Sequence, residues 1–151
     1  MNKSLIEEIE AEKIKVVTLP LAGQLKGLYA DNVIAINHRI PTTTEQTCVL
    51  AEELGHYHTT AGNILDQSSI NNRKQEHRAR RWAVQRLIKV EDFIRAYKIG
   101  VRSRAELAEF LEVTEAFINI SLKHFANIYG YSVTLHNYII VFDPLYIYRA
   151  F

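Results

Sequence analysis

The run Cys48-Val49-Leu50-Ala51-Glu52-Glu53-Leu54-Gly55-His56-Tyr57-His58 holds the side chains of this chain best suited to chemistry. On a helix, residues i and i+4 share one face. Glu52 and His56 can therefore grip one metal ion while Glu53 leans over a water beside it. The spacing is that of the metal-binding His-Glu-x-x-His helix, with Glu52 in the first histidine's place. A carboxylate oxygen reaches zinc at roughly 2.0 to 2.2 Å, about the imidazole distance, so Glu52 can fill that place without moving the backbone. Its negative charge should leave the attacking water less acidic than the pKa of about 7 typical of histidine-rich sites. The alternative is that Glu52, Glu53 and His56 form only the polar face of an amphipathic helix. Val49, Leu50 and Leu54 do follow helical spacing. Gly55 in mid-helix costs about 1 kcal/mol, which implies close packing against a neighbouring element.

A zinc site needs a third ligand, and the segment from Asn72 to Ile88 offers one. Ala79, Trp82, Ala83 and Leu87 make an apolar stripe at spacings of three and four, and Glu76 falls on that stripe. A carboxylate pointing inward is costly unless it is paired or bound to a metal. Arg78, Arg80, Arg81 and Arg86 can mostly stay in water. His77 lies one residue off the stripe, as a rim histidine and fallback ligand. The positive charge on this helix, with Arg73 and Lys74 added, reads as a solvated face or as a surface for an acidic partner. His58 points away from His56 on the helix, and His38, His124 and His136 have no paired ligand in sequence.

Glu52-Glu53-Leu54-Gly55-His56, followed by Glu76-x-x-Ala79-x-x-Trp82-Ala83, resembles the ImmA/IrrE family of zinc-dependent metallopeptidases. Gly27 to Asn37 is similar to the strand pair that precedes that family's active helix. The resemblance covers residues 15 to 90 and departs from the family pattern at Glu52. It implies Glu53 as general base, His56 and Glu76 as zinc ligands, and Glu52 at the remaining ligand position. It further implies cleavage of a protein substrate such as the helix-turn-helix repressor of a phage or mobile element. The alternative is a catalytically weak or inactive member that binds and regulates such a repressor.

These residues need a scaffold, and the expected one is an α+β, small zincin-like domain. Its short antiparallel strands should pack on the pair of active-site helices, ahead of a mainly helical C-terminal half with a terminal hairpin. Lys3 to Glu12 reads as a short helix, Lys15 to Leu19 as a strand ended by Pro20, and Leu28 to Asn37 as strands around a turn at Asp31-Asn32. Pro41 to Gln46 supplies a capping start for the active helix. Thr59 to Asn72 reads as a loop bordering the metal cleft. Val90 to Ile99 and the segment opened by Ser103 read as helices, and so does Glu115 to Tyr129, closed by Gly130. The expected division is a core at 1–90 and a helical extension at 91–151 within the same compact unit.

Helix, short turn and helix around Glu112-Val113-Thr114 also has the outline of a helix-turn-helix. The second helix offers only Asn119, Ser121, Lys123 and His124 for reaching nucleic acid, so packing or partner docking is expected instead. Tyr131 to Phe142 reads as a hairpin turning at His136-Asn137. The aromatic tail after Pro144 needs a surface to cover.

At 151 residues and 48% hydrophobic content the chain suits one globular domain. A net charge of +1 gives no global pull toward nucleic acid or membrane. No apolar run reaches the 18 or so residues of a membrane span, and the charged start lacks a signal core. The single cysteine excludes an internal disulfide and fits a reducing cytoplasm, with Cys48 as a small core residue.

Overall fold

The computed structural model describes residues 3–59 and 70–150. The chain divides into two compact units, Met1–Ala83 and Val84–Phe151.

The first unit opens with α1 (Lys3–Ala11), which buries Leu5 and Ile9. A three-stranded sheet follows, made of β1 (Lys15–Leu19), β2 (Gly27–Ala30) and β3 (Val33–Asn37) in the order β1-β3-β2. Asp31 and Asn32 both take positive φ, 49° and 60°, as the tight two-residue turn between β2 and β3 requires. The expectation of antiparallel strands holds for that hairpin only. β1 runs parallel to β3, with Lys15 opposite Val33 and Leu19 opposite Asn37. The cause lies in residues 20–26, which cross the end of β3 and let it insert between β1 and β2. Asn37 fastens this crossing, since its Nδ2 donates to the carbonyls of Leu25 at 2.7 Å and Leu21 at 3.4 Å. As the central strand, β3 buries Ile34, Ala35 and Ile36.

Helix α2 (Thr43–Thr59) packs on β2 and β3. The Glu45 N–H bonds the Thr42 hydroxyl at 3.1 Å, so the hydroxyl cap read from sequence is in place. Cys48, Val49, Leu50, Ala51 and Leu54 are buried, with Cys48 in the core as expected. Helix α3 spans Ile70–Leu87. The expected loop at 59–72 is shortened at both ends by these helices, and residues 60–69 of it lie outside the described residues.

The second unit contains α4 (Val90–Lys98), α5 (Arg104–Leu111) and α6 (Glu115–Tyr129). Ser103 and Thr114 cap the last two by accepting the N–H groups of Glu106 and Phe117. A second sheet, β4 (Ser132–Leu135), β5 (Tyr138–Phe142) and β6 (Leu145–Arg149), is wholly antiparallel. The turn at His136-Asn137 has φ of 50° and 66°, matching the expected hairpin. The tail adds a third strand, with Tyr146 more exposed than its neighbours Leu145 and Ile147. Phe93, Phe117, Ile118, Ile140 and Phe142 form this unit's core. No helix among the described residues is long and apolar enough to cross a membrane.

Candidate active site

Helices α2 and α3 meet at Gly55. A Cβ built there would run into the carbonyl oxygen of Ala79, so only glycine permits this approach. Glu76 is three residues before Ala79 and His56 follows Gly55, so the crossing draws both toward one point. His56 Nε2 lies 3.1 Å from Glu76 Oε1, with the imidazole almost fully buried and the carboxylate about two-thirds buried. Burial pulls the His56 pKa down, but the Glu76 hydrogen bond and charge, with Glu53 and Glu52 nearby, outweigh it and raise the pKa above its ordinary value.

Glu53 is buried on the same helix, only 8% exposed. Its surroundings come from β2. A Cβ on Gly27 would sit 2.9 Å from Glu53 Cγ and Oε1 and 2.6 Å from Val49 Cγ1, so the absence of a side chain at Gly27 makes room for this carboxylate. The Tyr29 backbone N–H donates to it. In the hairpin register this N–H points off the open edge of β2 rather than toward β3. The other oxygen, Oε2, is buried with no hydrogen-bond partner. Burial raises the Glu53 pKa to about 7, with Glu76 and Glu52 adding to the rise and His56 and the Tyr29 N–H opposing it.

Glu52 behaves differently. Burial raises its pKa despite the Arg80 guanidinium, whose Nε is 3.8 Å from Glu52 Oε1. Arg80 stands four residues after Glu76 and therefore on the same face of α3. Among the described residues no group of three His, Cys, Asp or Glu side chains is gathered closely enough to hold a metal ion. Two donors, His56 and Glu76, already meet, and an imidazole nitrogen with carboxylate oxygens is a donor set that zinc accepts. The orphaned Glu53 oxygen and three carboxylates in mutual electrostatic range also suit a divalent cation. The donor types present fit a metal, with His56 and Glu76 already together.

The remaining histidines stand apart. His77 is exposed and lines a basic surface with Arg73, Lys74, Arg78 and Arg81. His58 meets Glu8 at 3.1 Å and stacks on Trp82, with ring centroids 4.8 Å apart. His124 is buried in α6. Of the four α6 side chains considered for nucleic acid, Ser121 and His124 are buried and Asn119 accepts from Arg104. Arg80 is exposed, as sequence reasoning expected, but that reasoning missed its approach to Glu52 and the part that Gly27 and Tyr29 play around Glu53. The i+4 spacing from Glu76 was the available signal for Arg80. The Glu53 surroundings had none, because they arise from a strand more than twenty residues away.

No curated protein and no solved structure matches the chain. A sequence profile of the peptidase family described as the IrrE N-terminal-like domain matches residues 9–123, taking in the hairpin, both site helices and most of α6. The chain belongs to the IrrE N-terminal-like domain family.

Proposed function

We propose that this family member is a zinc-dependent endopeptidase, with the metal held by Glu52, His56 and Glu76 and with Glu53 as general base. The observation that carries the reading is the 3.1 Å approach of His56 Nε2 to Glu76 Oε1 beside the buried, unpartnered Glu53 Oε2. When bound, zinc supplies Lewis-acid polarisation of the peptide carbonyl and lowers the pKa of water. Glu53 does the proton work. Its carboxylate can take a proton from water as the water oxygen attacks the carbonyl carbon. As the C–N bond breaks, the Glu53 carboxyl returns that proton to the departing amine. The Tyr29 N–H holds the carboxylate in place, and the space left by Gly27 keeps it against the hairpin.

The proposed substrate is a helix-turn-helix repressor of a phage or mobile element, a class suggested by the family resemblance. A second reading, regulation of such a repressor by binding alone, is favoured by one observation: the engagement of Glu52 by Arg80.

Elemental analysis of protein incubated with zinc and desalted tests the first reading. About one zinc per chain is expected, lost in Glu76→Ala and kept in Glu53→Gln, with repressor cleavage abolished in both. Absence of bound zinc at neutral pH would sink the enzyme reading. Zinc binding with biological activity unchanged in Glu53→Gln would favour the binding regulator.

A further inference from the structure

We propose that Arg80 is a latch on the metal site: it holds Glu52 in the metal-free protein and must release it before Glu52 can join His56 and Glu76 around the ion. The inference rests on the metal reading above and names how that site is regulated. Two of the three donors, His56 Nε2 and Glu76 Oε1, are already 3.1 Å apart. The third faces a cation instead, with Glu52 Oε1 3.8 Å from Arg80 Nε.

The arrangement follows from the helix. Glu76 and Arg80 are one turn apart on α3, so the helix that delivers a ligand delivers its competitor too. The Glu52 side chain is only 30% exposed, and a carboxylate partly withdrawn from water favours a cation beside it. Arg80 provides that countercharge and is free to leave. Its side chain is 46% exposed and can swing into water, whereas a buried ion pair would resist separation. A histidine at position 52 would lack this coupling, since a neutral imidazole has no charge for Arg80 to hold. The glutamate that departs from the family pattern and the arginine opposite it thus act as one unit.

The test is zinc affinity of the full chain, measured by competition with a chelating dye, for four proteins: the natural one, Arg80→Gln, Glu52→His, which keeps a ligand but loses the charge, and the double variant. Removing a half-exposed ion-pair partner should tighten zinc by about twofold to fivefold in Arg80→Gln. In the Glu52→His background the same change should alter affinity by less than about 1.5-fold, because no carboxylate remains to be held. Equal affinity of Arg80→Gln and the natural protein would overturn the latch. So would tightening of the same size in both backgrounds, which would mark Arg80 as a distant repelling charge. If none of the four proteins binds zinc, the metal reading itself falls and takes the latch with it. Far-ultraviolet circular dichroism of each variant checks that the helices are intact.

Discussion

Gly55 of α2 lies against the carbonyl of Ala79 in α3 so tightly that no side chain fits between them, and this contact brings His56 to Glu76. Gly55→Ala should therefore force the helices apart. Helix propensity would favour alanine by about 1 kcal/mol. Overpacking against backbone should exceed that and leave a net loss of about 1–3 kcal/mol in urea unfolding. Zinc affinity should fall at least tenfold in the same variant. An alanine variant as stable as the natural protein, with equal zinc affinity, would show that the helices do not need this approach.

The raised pKa of Glu53 ties stability to pH. Its carboxyl titrates at about 7 when folded against an ordinary value of 4.5, so the folded state binds the proton more tightly. That contribution to stability is fully present below about pH 4.5 and is lost as the pH rises through about 7. Between roughly pH 5 and pH 8, the metal-free protein should lose on the order of 2–3 kcal/mol relative to Glu53→Gln, which cannot ionise there. Urea midpoints of both proteins across this range measure it, and parallel curves would contradict the assignment.

Gly27→Ala probes the hairpin's hold on Glu53. The new methyl would meet Glu53 Cγ and Oε1 at 2.9 Å and Val49 Cγ1 at 2.6 Å, so the carboxylate must shift. A displacement approaching 1 Å can cost about a hundredfold in rate. Repressor cleavage should fall by one to two orders of magnitude, with a stability loss of about 1–3 kcal/mol. Zinc content should stay near that of the natural protein, because Gly27 touches the base rather than His56 or Glu76.

Trp82 separates scaffold from chemistry. Its ring stacks on His58, which in turn meets Glu8 of α1 at 3.1 Å, while Tyr57 donates to Glu12 at 2.7 Å. Trp82→Ala should lower unfolding free energy by about 1–3 kcal/mol. Zinc binding should survive, because neither His58 nor Trp82 provides a proposed ligand. Loss of zinc without loss of stability would instead place Trp82 in the metal site.

What could be read from residues alone was local in origin. The paired spacing of Glu52, Glu53 and His56, the inward position of Glu76, the Thr42 and Ser103 caps and the turns at Asp31-Asn32 and His136-Asn137 all follow from periodicity and backbone preference over a few residues. Gly55 also announced a close contact, though not its partner. The third strand in the tail was harder to see, because Leu145 to Arg149 pairs only when β5 is already present as a template. β1 could be recognised as a strand, but its parallel pairing depended on the Asn37 bonds that pin the 20–26 crossing.

The chain's own order of residues thus determined which helices carry the candidate ligands and base, because helical spacing alone assigns side chains to faces. Tertiary structure decided how those groups behave. Glu53 owes its raised pKa to burial beneath the hairpin, and Glu52 its cationic neighbour to the crossing of α2 and α3. Electrostatic strength depends on distance and desolvation between segments far apart in sequence, and neither exists until the chain has folded.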